Sequence, residues 1–195
     1  MYIYQLINKI IGYIRIKKLN AKRDATISIS KTVRIDRKSR IRAYPGTAIL
    51  VGNNVYLRSD SEGYHTGMPF PTTLLVDVKG GSINIGDNCR LNGAYIHAQK
   101  SISIGKNCLI AAGVNIIDSN GHIVMSGNRT IGRDNPKEIV IGDNVWIGLN
   151  STILKGSILG NNSVISAGSV VKGIFPDNSL IQGNPAQVVS ILPIE

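Results

Sequence analysis

The chain has 195 residues, of which 43% are hydrophobic and only 5% aromatic, and this length suits a single domain. The formal net charge is +10, and all of it lies in residues 1–42, which hold 12 Lys or Arg and 2 acidic residues. Residues 43–195 hold 10 of each sign. No aromatic platform or recognition motif accompanies the basic segment, so the composition argues against nucleic-acid binding.

Residues 1–25 form a basic segment in which apolar residues recur at helical spacing. Lys9 and Arg15 leave the apolar run too short for a membrane span, and no small-residue cleavage site indicates a signal peptide. Two interpretations stay open. In the first, residues 1–23, with six cationic and no acidic side chains, form an amphipathic helix that binds an anionic membrane surface. In the second, the helix caps the open end of the following domain or packs on a sister subunit.

A six-residue repeat runs from about residue 26 to about residue 172. It is unbroken over 141–171, where every sixth residue is a branched aliphatic and the fifth place of each hexad is small. Neither a helix nor an alternating strand can bury every sixth residue alone, whereas a parallel β-helix forms one short strand and one corner per hexad. The pattern predicts an all-β solenoid with these side chains in one central shaft: Ile141, Ile147, Ile153, Leu159, Ile165 and Val171.

Two segments, 58–74 and 118–138, lose the repeat and gain Gly, Pro, Asn and Ser. This composition predicts loops that leave the coil. Excursions from a solenoid usually mark its binding face. We therefore expect the functional residues near these two loops.

Cys89 and Cys108 occupy the same place in the phrases IGDNC and IGKNC. Equivalent places in successive coils lie next to each other, so the two side chains are predicted to stack. Small buried thiols in a reducing compartment fit this position better than a disulfide does.

The stretch VWIGLNSTILKGSILGNNSVISAGSVV (145–171), followed by QGNPAQVV (182–189), resembles the hexapeptide-repeat acyltransferases. This family includes galactoside, maltose, serine and xenobiotic acetyltransferases and many O-acetyltransferases of surface polysaccharides. The resemblance covers residues 26–190. It implies a left-handed parallel β-helix, a homotrimer with active sites between subunits, and acetyl-CoA as cosubstrate without a metal.

Acetyl transfer to a hydroxyl needs a base that takes the hydroxyl proton and donors that stabilise the developing oxyanion. An imidazole suits the first role near neutral pH, and the chain contains three histidines. His122 lies in DSNGH, where the repeat breaks, at the place of the catalytic histidine in the resembling family. We predict His122 as the general base, and structural or acceptor-side roles for His97 and His65.

Position-matching to the family also implies a CoA site and an acceptor site. Lys172 is a candidate for a CoA phosphate, although the basic residue comes one place earlier here than in the family. On the acceptor side the candidates are Asn92, for which the local spacing differs by one residue, and Asn120. The implied CoA-binding residues are Trp146, Gly148, Ala167, Lys172, Asn184 and Pro185.

Three functions stay open. The first is an O-acetyltransferase acting on a sugar hydroxyl of a surface polysaccharide or its precursor, which the basic N-terminal segment favours because a lipid-linked acceptor lies at a membrane. The second is an N-acetyltransferase of an amino-sugar or other small amine. The third is a non-catalytic β-helix or a zinc hydratase, but the three histidines are 32 and 25 residues apart, which argues against a shared zinc site.

The sequence thus predicts three segments. They are the basic segment 1–25, a β-helix acyltransferase domain over 26–172, and a C-terminal tail over 173–195. The predicted location is cytoplasmic, with peripheral contact at the cytoplasmic face of the membrane if residues 1–23 bind lipid.

Overall fold

The computed structural model describes residues 2–193, with side chains from Ile10 onward. In this part of the chain one helix, α1 (Tyr2–Asn20), precedes 21 short strands. In chain order the strands are β1 (Thr26–Ile29), β2 (Arg34–Ile35), β3 (Arg40–Ala43), β4 (Ala48–Val51), β5 (Tyr56–Arg58), β6 (Thr73–Val76), β7 (Ser82–Ile85), β8 (Arg90–Asn92), β9 (Tyr95–Ala98), β10 (Ser101–Ile104), β11 (Leu109–Ile110), β12 (Asn115–Ile117), β13 (Ile139–Ile141), β14 (Trp146–Ile147), β15 (Thr152–Leu154), β16 (Ile158–Leu159), β17 (Val164–Ile165), β18 (Val170–Val171), β19 (Ile174–Phe175), β20 (Ser179–Gly183) and β21 (Ala186–Ile191).

Every third strand joins the same sheet, so the chain winds around a three-sided prism. The first sheet has the order β1-β4-β7-β10-β13-β16-β19 and the second β2-β5-β8-β11-β14-β17-β20-β21. The third sheet has the order β3-β6-β9-β12-β15-β18. All neighbouring strands described here are parallel except β20 and β21. The predicted parallel β-helix is confirmed.

The shaft of the prism is filled as the hexads predict. The repeated aliphatic residues from Ile141 to Val171 are buried, and the small fifth-place residues, such as Ser151 and Ser163, are buried beside them. Inward and outward side chains alternate along most strands, because successive side chains of a strand point to opposite faces, so β13 buries both Ile139 and Ile141. In this coil each sheet therefore contributes two inward residues, the repeated aliphatic and the residue two places before it, as Val145 precedes Ile147 and Ser151 precedes Ile153.

Asparagines form the corners between the first and second sheets. Asn88, Asn107, Asn144 and Asn162 adopt φ between 55° and 61°, the left-handed region that asparagine tolerates better than most residues. Their side-chain amides hydrogen-bond from coil to coil, for example from Asn144 to Asn162 at 3.1 Å and from Asn88 to Asn107 at 3.2 Å. These bonds keep successive corners in register.

Cys89 and Cys108 stack on neighbouring coils, as predicted. Both are buried free thiols, and the backbone N–H of Cys108 lies 3.3 Å from the sulfur of Cys89. They fill the same small inward place beside the shaft that serine fills in later coils.

The coil continues past residue 172, the end that the hexads predict. Ile158 pairs with Ile174, and Val164 pairs with Leu180, so this coil spans 16 residues, whereas the preceding one, from Val140 to Ile158, spans 18. One corner of this coil is two residues shorter than in the preceding coil. The hexad register shifts there, so the six-residue period does not predict the last strands. β21 then folds back antiparallel on β20 and ends the solenoid.

Helix α1 covers the open end of the first coil. The Arg15 guanidinium donates to the carbonyls of Asp36, Arg37 and Ser39 at 2.7 to 3.1 Å. Ile16 is buried in the core. The side chain of Asn20 exchanges two hydrogen bonds of 2.9 Å with the backbone of one residue of β1, as a neighbouring strand would. The capping interpretation of this helix is therefore confirmed.

The opposite face of α1 is open to solvent. Ile10, Tyr13 and Ile14 are exposed, together with Lys17 and Lys18. The apolar side chains before Ile10 lie outside the described side chains. No helix in the described residues is long and apolar enough to cross a membrane.

Candidate active site

Asp118 fixes the point at which the chain leaves the coil after β12. Its buried carboxylate accepts hydrogen bonds from the backbone N–H groups of Gln99, Lys100 and Ser101 at 2.7 to 2.9 Å. The chain returns at Lys137, whose N–H donates to the Asp118 carbonyl at 2.9 Å. The predicted loop therefore begins and ends at one fixed corner of the prism.

A contact between Asp134 and Lys155 holds this loop against the next coil. Lys155 follows β15, and its ammonium donates to the Asp134 carboxylate and to the carbonyl of Asn135, the latter at 3.1 Å. Asp134 also accepts hydrogen bonds from the Ser119 hydroxyl and from the Asn120 N–H, the latter at 2.8 Å. The side chains of Asp134 and Lys155 are only 7% and 16% exposed.

The surroundings of Asp134 keep it ionised. Burial alone would raise the pKa of this carboxyl, but hydrogen bonds from Lys155, Ser119 and Asn120 outweigh burial and lower the pKa to about 2. The ion pair is therefore present at every physiological pH. It fixes Ser119 and Asn120, the two residues that begin the loop.

His122 follows directly after this anchored turn and is exposed. Gly121, with φ of 76°, turns the chain between Asn120 and the histidine, a conformation that glycine adopts without strain. Among the side chains described, from residue 10 to residue 193, no protein group hydrogen-bonds the His122 imidazole. Both ring nitrogens are thus open to a bound acceptor.

The same loop presents apolar side chains to solvent. Met125 is 93% exposed, and Val124 and Ile131 are also exposed. Clustered apolar residues on a protruding loop are typical of a surface that another molecule covers.

One corner, between the second and third sheets, gathers most of the predicted CoA residues. Trp146 lies on β14 with its ring half exposed, and Gly148 follows two residues later. A methyl group at Gly148 would lie 2.6 Å from the backbone nitrogen of Ala167, so only glycine lets the two coils approach this closely. The turn Asn184-Pro185 follows β20, which pairs with β17 one coil further on. Three successive coils therefore bring these residues to one edge.

Of the remaining predicted site residues, Asn92 lies at the same corner, at the place of Gly148 two coils earlier, whereas Lys172 and Asn120 lie elsewhere. Lys172 is exposed at the opposite edge of the third sheet, directly after β18, on the side from which the loop carrying His122 leaves. Asn120 belongs to the anchored turn. Asn92 is 5% exposed, and its amide donates to the carbonyl of Ile110 at 3.1 Å, so it supports the stacking of coils. A contact of Asn92 with an acceptor stays a prediction.

The other two histidines lie apart from the loop of His122. His97 is on β9, with its Nε2 atom 2.9 Å from Oδ1 of Asp77. His65 is exposed in the first loop, with its ring centroid 4.6 Å from that of Tyr64. Among the described residues, no group of three His, Cys, Asp or Glu side chains is placed to hold a metal ion.

Sequence reasoning missed the two residues that anchor the loop. Lys155 carries a weak signal, because it is a lone cation at an outward position of the hexad ILKGSI. Asp134 carries none, since it is one of many polar residues in a loop without periodicity.

Two protein-family models match regular coils on either side of the loop. Bacterial transferase hexapeptide (six repeats) matches residues 138–173, and Hexapeptide repeat of succinyl-transferase matches residues 82–117. Both matches fall on strands that the structure places in the prism.

Similar curated proteins are named as O-acetyltransferases of carbohydrates. The chain is 34% identical over 146 residues to WbbJ of Escherichia coli (strain K12), named as a lipopolysaccharide biosynthesis O-acetyl transferase, with 69% of this chain and 74% of WbbJ covered. It is 31% identical over 145 residues to the polysialic acid O-acetyltransferase of Neisseria meningitidis, covering 66% and 67%. With the galactoside O-acetyltransferase of E. coli the identity is 39% over 111 residues, and the match spans only 54% of that protein and 56% of this chain.

Solved structures show the same fold. The polySia-specific acetyltransferase NeuO superposes with a TM-score of 0.68 at 24% identity, covering 88% of this chain and 70% of NeuO. A galactoside acetyltransferase in complex with coenzyme A gives a TM-score of 0.55 at 22% identity, covering 96% and 82%. The chain thus folds as a left-handed parallel β-helix.

Proposed function

This chain belongs to the hexapeptide-repeat acetyltransferases, and on that premise we propose that it transfers an acetyl group from acetyl-CoA to a sugar hydroxyl of a surface polysaccharide or its precursor. The carbohydrate acceptor is supported by the named activities of the relatives, and acetyl-CoA by the coenzyme A bound to the galactoside acetyltransferase. The observation that carries the proposal is the anchored loop, which presents the exposed His122 at an edge of the repeat.

In the proposed reaction the His122 imidazole takes the proton of the acceptor hydroxyl while the hydroxyl oxygen attacks the thioester carbonyl carbon. The new C–O bond forms, the tetrahedral intermediate collapses, and the C–S bond breaks. The CoA sulfur leaves and takes the proton back from the imidazolium. The contact between Asp134 and Lys155 supports this sequence by holding the loop in one geometry, and misplacement of a reacting group is costly.

The proposed CoA site is the corner formed by Trp146, Gly148, Ala167 and the Asn184-Pro185 turn. An exposed indole at a corner where glycine lets successive coils approach closely suits contact with the slender pantetheine arm. Lys172 lies across the third sheet from this corner, so one subunit alone does not bring it beside the turn. A neighbouring subunit can bring opposite edges of two prisms together.

A homotrimer is therefore part of the proposal. The exposed Val124, Met125 and Ile131 give the loop an apolar surface that a neighbouring subunit would cover. We expect a trimer by light scattering at micromolar concentration. A monomer under these conditions would contradict an active site that is shared between subunits.

Contact with an anionic membrane through residues 1–23 stays a prediction. The capping contacts use one face of α1, whereas Ile10 and Ile14 on the other face are exposed beside Lys17 and Lys18. An apolar strip with flanking cations suits an interface with anionic lipid. Co-sedimentation with anionic vesicles at low and high salt tests it, and a failure to sediment at low salt would exclude it.

An acceptor screen with radiolabelled acetyl-CoA tests the proposed function. Sugars with free hydroxyls are compared with the matching amino-sugars, and the products are treated with mild alkali, which cleaves an acetyl ester but not an acetamide. We expect alkali-labile products from the hydroxyl acceptors. Alkali-stable products formed only from the amines would instead support the alternative, an N-acetyltransferase.

A further inference from the structure

A row of side chains crosses the outer face of the third sheet between the two loops. Tyr95 and His97 both point outward from β9, with ring centroids 6.3 Å apart and planes nearly perpendicular. Phe70, from the end of the first loop, lies edge-on to Tyr95 at 6.5 Å. Asp77, just after β6, ends the row beside His97. We refer to these four residues as the outer-face row.

The polar end of this row is incompletely satisfied. His97 Nε2 and Asp77 Oδ1 lie 2.9 Å apart, but not in the geometry of a hydrogen bond, and among the described residues neither atom has another partner. Both atoms are shielded from solvent, although each side chain as a whole is 23% exposed. Buried polar atoms normally have hydrogen-bond partners, so an unpaired donor and acceptor side by side need an explanation.

The row lies next to the root of the loop that carries His122. His97 pairs in register with Ile117, the last residue of β12, and its carbonyl accepts a hydrogen bond from the N–H of Asp118 at 3.4 Å. The loop leaves the prism at Asp118. A molecule seated along the row therefore has one end at the edge from which the proposed general base projects.

We propose that the outer-face row binds the carbohydrate acceptor, with a sugar hydroxyl at the exposed edge of the Asp77–His97 pair and a sugar ring packed on Tyr95 or Phe70. A hydroxyl is both donor and acceptor, so it can donate to the carboxylate and accept from the imidazole N–H. The C–H groups on one face of a pyranose suit the negative face of an aromatic ring. The assignment rests on the proposed function, because it gives that reaction its acceptor subsite.

Sugar binding measured without acetyl-CoA tests the acceptor site independently of the proposed acetyl transfer. The probes are methyl β-galactoside, maltose and a short oligomer of sialic acid, and the readout is saturation-transfer NMR with titration of the full-length protein. For a sugar that binds the wild type, Tyr95→Ala and His97→Gln should each raise the dissociation constant about threefold to tenfold, the scale of one aromatic contact or one hydrogen bond between neutral groups. Tyr44→Ala is the control, since Tyr44 is an exposed tyrosine beside Leu19 of α1.

The control variant should bind the sugar as the wild type does. Asp77→Asn keeps the shape of the side chain and should weaken binding even if His97→Gln lowers the melting temperature. Equal binding by the wild type, Tyr95→Ala and Asp77→Asn, or no binding of any of the three probes, would overturn the proposal. Loss of binding in these variants together with full turnover in His122→Ala would support the outer-face row as the acceptor site. The same result would contradict His122 as the general base.

Discussion

Substitution of Lys155 by methionine tests whether the anchored loop positions the proposed active site. Methionine keeps the length and the apolar stem of lysine but removes the ammonium. Asp134 then keeps its hydrogen bonds from Ser119 and Asn120 but loses its counter-charge while only 7% exposed. We expect the loop to open more often, so that His122 is less often in place.

The pKa of Asp134 sets the scale of the effect. A fall from the ordinary 3.8 to about 2 corresponds to about 2.5 kcal/mol between the charged and neutral forms of the carboxyl. Ser119 and Asn120 supply part of this stabilisation, and solvent at the edge of the loop screens the rest, which leaves about 1 to 1.5 kcal/mol for Lys155. The ratio of closed to open loop should fall about five- to twelvefold, and turnover by no more than that factor.

Limited proteolysis measures loop opening independently of activity. Arg129 and Arg133 are exposed trypsin sites within the loop, and cleavage there tracks the open population when closing is fast. Cleavage in Lys155→Met should be about five- to twelvefold faster than in the wild type. Lys106→Met is the control, because its ion pair with Asp143 spans 3.7 Å and its side chains are 62% and 45% exposed.

Two results would refute this reasoning. Unchanged cleavage of the loop together with unchanged turnover would show that Lys155 does not hold the loop. A loss of turnover of a hundredfold or more with unchanged cleavage would place Lys155 in the chemistry instead of in the anchor.

Three further predictions concern the loop, the cap and the shaft. Because the pKa of Asp134 is lowered, the stability that its carboxylate gives the loop is complete above about pH 4 and is lost as the pH falls toward 2. Amide hydrogen exchange of the loop should therefore become faster between about pH 4 and pH 2 than the intrinsic pH dependence of exchange predicts. Asn20→Ala removes two hydrogen bonds to β1 and should lower the melting temperature, at a cost of about 1 to 3 kcal/mol; an unchanged melt would show that α1 does not stabilise the first coil. Ile147→Ala leaves a cavity in the shaft and should cost about 2 to 5 kcal/mol in denaturant titration, whereas a loss below about 1 kcal/mol would contradict a close-packed shaft.

The shaft and the loops could be predicted because they follow from local sequence. A branched aliphatic at every sixth position marks one inward site in each strand, and Ile141, Ile147 and Ile153 are all buried there. The second loop is visible as a loss of the same register. The last coil escaped prediction because it spans 16 residues between Ile158 and Ile174, so the period itself changes there.

The contacts that define the candidate site depend on the stacking of distant segments. Asp134 and Lys155 are 21 residues apart, one in an irregular loop and the other on a coil, and no periodicity links them. Asp77 and His97 meet because β6 and β9 are adjacent in the third sheet. This contact can be predicted only when the number of residues in the coil between the two strands is known. The position of His122 could be predicted, but the contacts that hold its loop could not.

The most direct test of the proposed chemistry is the turnover of His122→Ala with labelled acetyl-CoA and a sugar acceptor. Removal of a general base should lower turnover by about a hundredfold to ten-thousandfold. Oligomeric state and melting temperature should stay those of the wild type, because His122 is an exposed loop side chain. Turnover close to that of the wild type in this variant would contradict the assignment of His122 as the base.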